Sequence, residues 1–167
     1  MDHDKSSAPA FGGAAKALCE AFEKRFPEIE YFSRMDQSST PDLIIPCPNQ
    51  DIGTIDLFVN EVEIIVSVGK HVHMHIGSDC GADEDAKSET SQVIEDTLHF
   101  LYGLFSGELL LRLKKKGSHI ISASIVDASD ELITTVILPS GLLYALLPLK
   151  AKTLYYAFSG RPVDIQS

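Results

Sequence analysis

The chain has 167 residues, of which 44% are hydrophobic and 23% charged. That composition excludes disorder over the whole length and is enough to build one conventional core. Fourteen basic side chains against 24 acidic ones give a net charge of −10. Residues 1–100 carry 7 Lys and Arg against 19 Asp and Glu, a net −12, whereas residues 101–167 carry 7 against 5, a net +2. A negative field of this kind repels phosphate backbones and attracts basic surfaces, so it argues against nucleic-acid binding and for a basic protein partner.

The whole chain, 1–167, reads as a single domain, with residues 1–12 expected to be flexible. The first ten residues are acidic and lack the continuous apolar run of a secretory leader, which makes the cytoplasm the expected compartment. Cys19, Cys47 and Cys80 are widely spaced and form no C-x-x-C pair, so no disulfide framework is expected.

In chain order, Gly13 to Arg25 places Ala14, Leu18, Ala21 and Phe22 at helical spacing, with Lys24 and Arg25 at the end favoured by the helix dipole. Pro27 stops that helix. Leu43-Ile44-Ile45 predicts a short strand closed by Pro46 and Pro48. Three strands are then expected in quick succession, Thr54–Val59, Glu61–Val68 and His71–Ile76. Connections this short require antiparallel neighbours, hence a meander.

Alternation assigns faces within the meander. Ile55, Leu57, Val59, Val62, Ile64, Val66, Val68, Val72, Met74 and Ile76 are expected on the core side. Asp56, Phe58, Glu63, Ser67, His71, His73 and His75 are then expected on the other.

Gly77 to Asp85 is glycine-rich and acidic, a loop. A helix is predicted over Ser91–Phe105, with Ile94, Leu98, Leu101 and Phe105 as its buried stripe and Gly107 as its stop. Glu108–Lys114 and Ser118–Val126 form a second hairpin, turning through Lys115-Lys116-Gly117. From Leu132 to Leu149 the chain runs without a charge, near the length of a spanning helix, but Pro139-Ser140-Gly141 interrupts it. Two buried segments, Ile133–Leu138 and Leu142–Leu147, are expected in place of a membrane span, and Thr153–Phe158 reads as a last strand. The resulting class is α+β: a mostly antiparallel sheet of about six to eight strands, with a short N-terminal helix and one longer helix packed on one face. Exposed sheet edges and the apolar stretch 132–149 are compatible with a homodimer.

The chemistry centres on His71, His73 and His75, whose alternation on a strand projects three imidazoles to one side. The preferred reading is a small acidic protein-binding module, of the inhibitor or immunity-protein type, that engages a basic partner. Its contact residues would be His71, His73, His75 and the loop acids Asp79, Asp83, Glu84 and Asp85. It needs no cofactor. The alternative is a metal-binding protein or metal-dependent hydrolase holding zinc through His71, His73, His75 and His119, with Asp79 or Cys80 as further donors and Asp56 or Glu63 orienting the imidazoles. The acidic loop lacks the spacing and terminal glutamate of an EF-hand, no G-K-[ST] makes a phosphate loop, and Ser140 is not in G-x-S-x-G. With no complete catalytic set, the sequence leans away from an enzyme. A lesser reading is a ligand pocket to which Phe58, Tyr155 and Tyr156 contribute.

Overall fold

A computed structural model describes residues 13–33, 42–49, 52–60, 63–77, 86–127, 129, 131–137 and 150–159. Helix α1 spans Gly13–Arg25 and turns Leu18 and Phe22, one helical turn apart, completely away from solvent. Its last backbone bond, Phe26 N–H to the Phe22 carbonyl at 2.8 Å, falls immediately before Pro27.

Five strands follow: β1 (Phe32–Ser33), β2 (Leu43–Pro46), β3 (Thr54–Val59), β4 (Glu63–Val68) and β5 (Val72–Gly77). They form sheet A in the order β1-β2-β3-β4-β5, antiparallel throughout. The meander is therefore as its short connections require. The connection between β4 and β5 is made at Gly69, whose φ is +61° and whose N–H donates to the Thr54 carbonyl at 2.7 Å. A Cβ there would lie 2.3 Å from the Ile52 carbonyl oxygen, so both the left-handed backbone and the close approach of a second chain segment require glycine.

Helix α2 spans Ala86–Ser106, beginning five residues ahead of the expected Ser91. Ile94, Leu98 and Leu101 are buried as their spacing implies, and Phe105 is partly buried against the core. A second row, Val93, Thr97, Phe100 and Leu104, is buried too. The apolar face is this wide because α2 touches both α1 and strands of each sheet. Thr97 is accommodated there by donating its hydroxyl proton to the Val93 carbonyl at 2.7 Å. Gly107, at φ +82°, ends the helix.

The remaining described strands are β6 (Leu109–Lys116), β7 (His119–Asp127), β8 (Leu132–Ile137) and β9 (Ala151–Tyr156). They make sheet B, antiparallel, in the order β8-β7-β6-β9. The fold is thus α+β with two helices and antiparallel sheets of five and four strands. The single sheet expected from the sequence is divided in two, and β1 adds a strand that the sequence reading omits. Lys114, Lys115 and Lys116 belong to the end of β6, with the turn displaced to Gly117 and an irregularity in register between Lys114 and Lys115.

One hydrophobic cluster draws on both helices and both sheets, from Leu18 and Phe22 through Leu57, Val66 and Leu101 to Leu113 and Ile125. At one end of it the rings of Phe22, Phe26, Phe105 and Phe158 meet at centroid separations of 4.6–6.4 Å. The apolar stretch from Leu132 departs from expectation at its start: Leu132 and Ile133 are about half exposed, on a strand that pairs only with β7 among the described residues. The expected segment Leu142–Leu147 and residues 1–12 lie outside the described residues. No described helix is long and apolar enough to cross a membrane.

Candidate functional site

Sheet A has two dissimilar faces. Ile55, Leu57, Ile64, Val66, Val68 and Val72 are buried in the shared core, with Val59, Met74 and Ile76 partly buried against it, as alternation implies for these residues, while Val62 lies outside the described residues. The opposite face is laid out by the ladder register. Phe32, Ile44, Asp56, Ser67 and His73 stand side by side in one row across all five strands. Phe58, Ile65 and His75 form the adjacent row across β3, β4 and β5. Ile44, Phe58 and Ile65 take no part in the core cluster. Phe32 is 61% exposed.

This outer face therefore mixes apolar and polar side chains at close quarters, since paired side chains on neighbouring strands sit about 5 Å apart. Its β5 margin carries His73 and His75. His73 and His75 contact one another edge-on, their ring centroids 5.8 Å apart. His75 Nδ1 lies 2.9 Å from Glu63 Oε2, and Asn60 Nδ2 donates to the other Glu63 oxygen at 3.4 Å. The His75–Glu63 pair is solvent-exposed, so it orients the ring more than it stabilises the fold. His71 precedes β5 in the Gly69 turn and packs back toward it.

The structure thus sets His73 beside His75 and His75 against Glu63. Asp56 has Ile44 and Ser67, not an imidazole, as its row neighbours. His119 begins β7 in the other sheet and is exposed. Among the described residues no three His, Cys, Asp or Glu side chains group as metal ligands. Asp79, Cys80, Asp83, Glu84 and Asp85 lie outside the described residues. Nor do Phe58, Tyr155 and Tyr156 share a pocket: Phe58 is on the outer face of sheet A, Tyr156 is in the core, and Tyr155 alternates to the other side of β9.

Acidic groups also gather where α1 meets β1 and β2. Tyr31 donates its hydroxyl proton to Glu23, and this bond, reinforced by burial, pushes the phenol up to about 12. Burial, then the nearby carboxylates of Glu23 and Asp42, raise the Cys19 thiol to about 11. Asp42 itself is structural: its Oδ2 accepts the Val59 N–H at 2.7 Å while its own N–H donates to the Leu57 carbonyl at 2.7 Å, tying the start of β2 to β3. The Cys47 thiol donates to the Phe158 carbonyl at 3.1 Å, and burial raises it as well. Neither cysteine has the depressed thiol of a nucleophile.

Phe32, Ile44 and Ile65 are members of the outer face that the sequence reading missed. Ile44 and Ile65 were detectable, because each continues an apolar run at a position where alternation calls for a polar residue, between neighbours committed to the core. Phe32 was not, since a two-residue strand has no periodicity. Comparison with protein families, with curated proteins and with solved structures finds no match to this chain.

Proposed function

We propose that this chain is a small acidic protein-binding module, of the inhibitor or immunity-protein kind, which engages a basic protein partner through the outer face of sheet A. The observation that carries the reading is the composition of that face. Phe32, Ile44, Phe58 and Ile65 lie outside the core and are interleaved with Asp56, Glu63, Ser67, His73 and His75. A sheet face exposed only to water does not need this apolar content, whereas an interface gains by burying it and uses the polar groups for register. The net charge of −10 gives the sign of the partner. The acids Asp79, Asp83, Glu84 and Asp85 follow β5 in sequence and add to the same field.

The test uses a fluorescently labelled synthetic peptide of alternating arginine and valine, which presents one basic and one apolar face when extended. Its anisotropy titration against the wild-type chain is expected to saturate and to weaken as salt is raised. Ile65→Arg, which removes apolar area and adds a like charge to the peptide, is expected to weaken binding at least tenfold, about 1.4 kcal/mol. Affinity indifferent to salt, or unchanged in Ile65→Arg, counts against the reading.

A further inference from the structure

We infer that Asp56 is the anchor of this surface and that it receives an arginine side chain of the basic partner, an inference that rests on the docking reading above. Asp56 lies on the central strand β3, on the outer face, between Ile44 of β2 and Ser67 of β4. Its Oδ1 atom is buried and accepts no hydrogen bond from the described residues. The two cross-strand neighbours explain why. Ile44 has no donor, and the Ser67 hydroxyl is committed to the Gly69 carbonyl at 3.0 Å. His73 is the next residue in the row but stands two strands away, roughly 9.5 Å by strand spacing.

A carboxylate oxygen withdrawn from water without a donor costs free energy, and buried polar atoms in folded proteins almost always have a partner. Here the donor must approach from the outer side, where the residue as a whole remains only partly buried. Rotation about the terminal torsion of aspartate is soft, so the buried oxygen can turn toward an arriving group at little cost. Arginine fits this position better than lysine. Its planar fork can engage both carboxylate oxygens, and it sheds water more readily than an ammonium. Phe58, two residues along β3 on the same face, offers a ring against which a guanidinium can stack.

Thermal unfolding of the full chain, alone and with synthetic peptides of alternating arginine and valine or lysine and valine, tests the assignment. Asp56→Val is expected to unfold at a higher temperature than wild type in the absence of peptide, because it removes an unpaired buried oxygen. Glu28→Gln, which removes one exposed carboxylate elsewhere, is expected to leave the midpoint unchanged. The arginine peptide is expected to raise the wild-type midpoint more than the lysine peptide does, and Asp56→Val and the isosteric Asp56→Asn are both expected to lose that difference. A lower midpoint for unliganded Asp56→Val means the carboxylate is satisfied within the free chain and overturns the inference. Equal stabilisation of wild type and both variants overturns the anchor while leaving the docking surface standing. Equal effects of the two peptides on wild type overturn the choice of arginine, and no effect of either on wild type overturns the docking reading itself.

Discussion

Tyr31 shows how one side chain can report on the junction between α1 and β1. Its phenol is held near 12 in the folded chain, against about 10 for an unperturbed tyrosine, chiefly by the hydrogen bond it donates to Glu23. A folded value above the unfolded one favours the protonated native state, so this contribution is complete below pH 10 and is lost as pH rises through 12. Denaturant unfolding across that window is expected to show falling stability, and Tyr31→Phe is expected to flatten the fall. An ultraviolet titration is expected to show a late-ionising tyrosine component that loses the contribution of one side chain in Tyr31→Phe. At Gly69 the constraint is steric. A methyl group would collide with the Ile52 carbonyl oxygen at a backbone φ of +61°, so Gly69→Ala is expected to cost about 1–3 kcal/mol in chemical denaturation. A loss within about 0.5 kcal/mol of wild type would mean the β4–β5 turn relaxes freely.

Among the elements, α2 has the greatest reach, because its wide apolar face is packed against α1 and against strands from both sheets. Leu101, fully buried on that face, is accordingly expected to cost about 2–5 kcal/mol when truncated to alanine, read as a lower denaturation midpoint with an unchanged slope. Elements of this kind are legible in the sequence. The bounds of α1 and β3 coincide with their periodicity, since Leu18 with Phe22 and Ile55 with Leu57 are spaced for one buried side and are flanked by proline or glycine turns. The start of α2 is less legible, because Ala86 to Thr90 contain no apolar repeat and their helicity is not announced by one. Strand β1 is too short to have a pattern at all. Division into two sheets depends on which strands pair, a matter of long-range packing that alternation does not encode. For the candidate site, the histidine alternation and the polarity of its face were readable, whereas the isolation of Asp56 Oδ1 was not. That isolation depends on where the Ser67 hydroxyl turns, and only the fold decides it.

For the molecule as a whole, charge and architecture reinforce each other. The net −12 of residues 1–100 belongs to the part of the chain that builds α1 and sheet A, while the net +2 of residues 101–167 belongs to the part that builds sheet B. On the docking reading proposed above, the acidity of the first part of the chain supplies the attraction for a basic partner, and salt is expected to slow association more than it speeds dissociation. The most direct test is a titration of isotope-labelled protein with the alternating arginine–valine peptide, followed by backbone amide NMR. The account predicts saturable shift changes concentrated at Ile44, Asp56, Ser67 and His73 and at Phe58, Ile65 and His75, the two neighbouring rows of the outer face. Saturable changes confined to sheet B, or the absence of any saturable change, would contradict it.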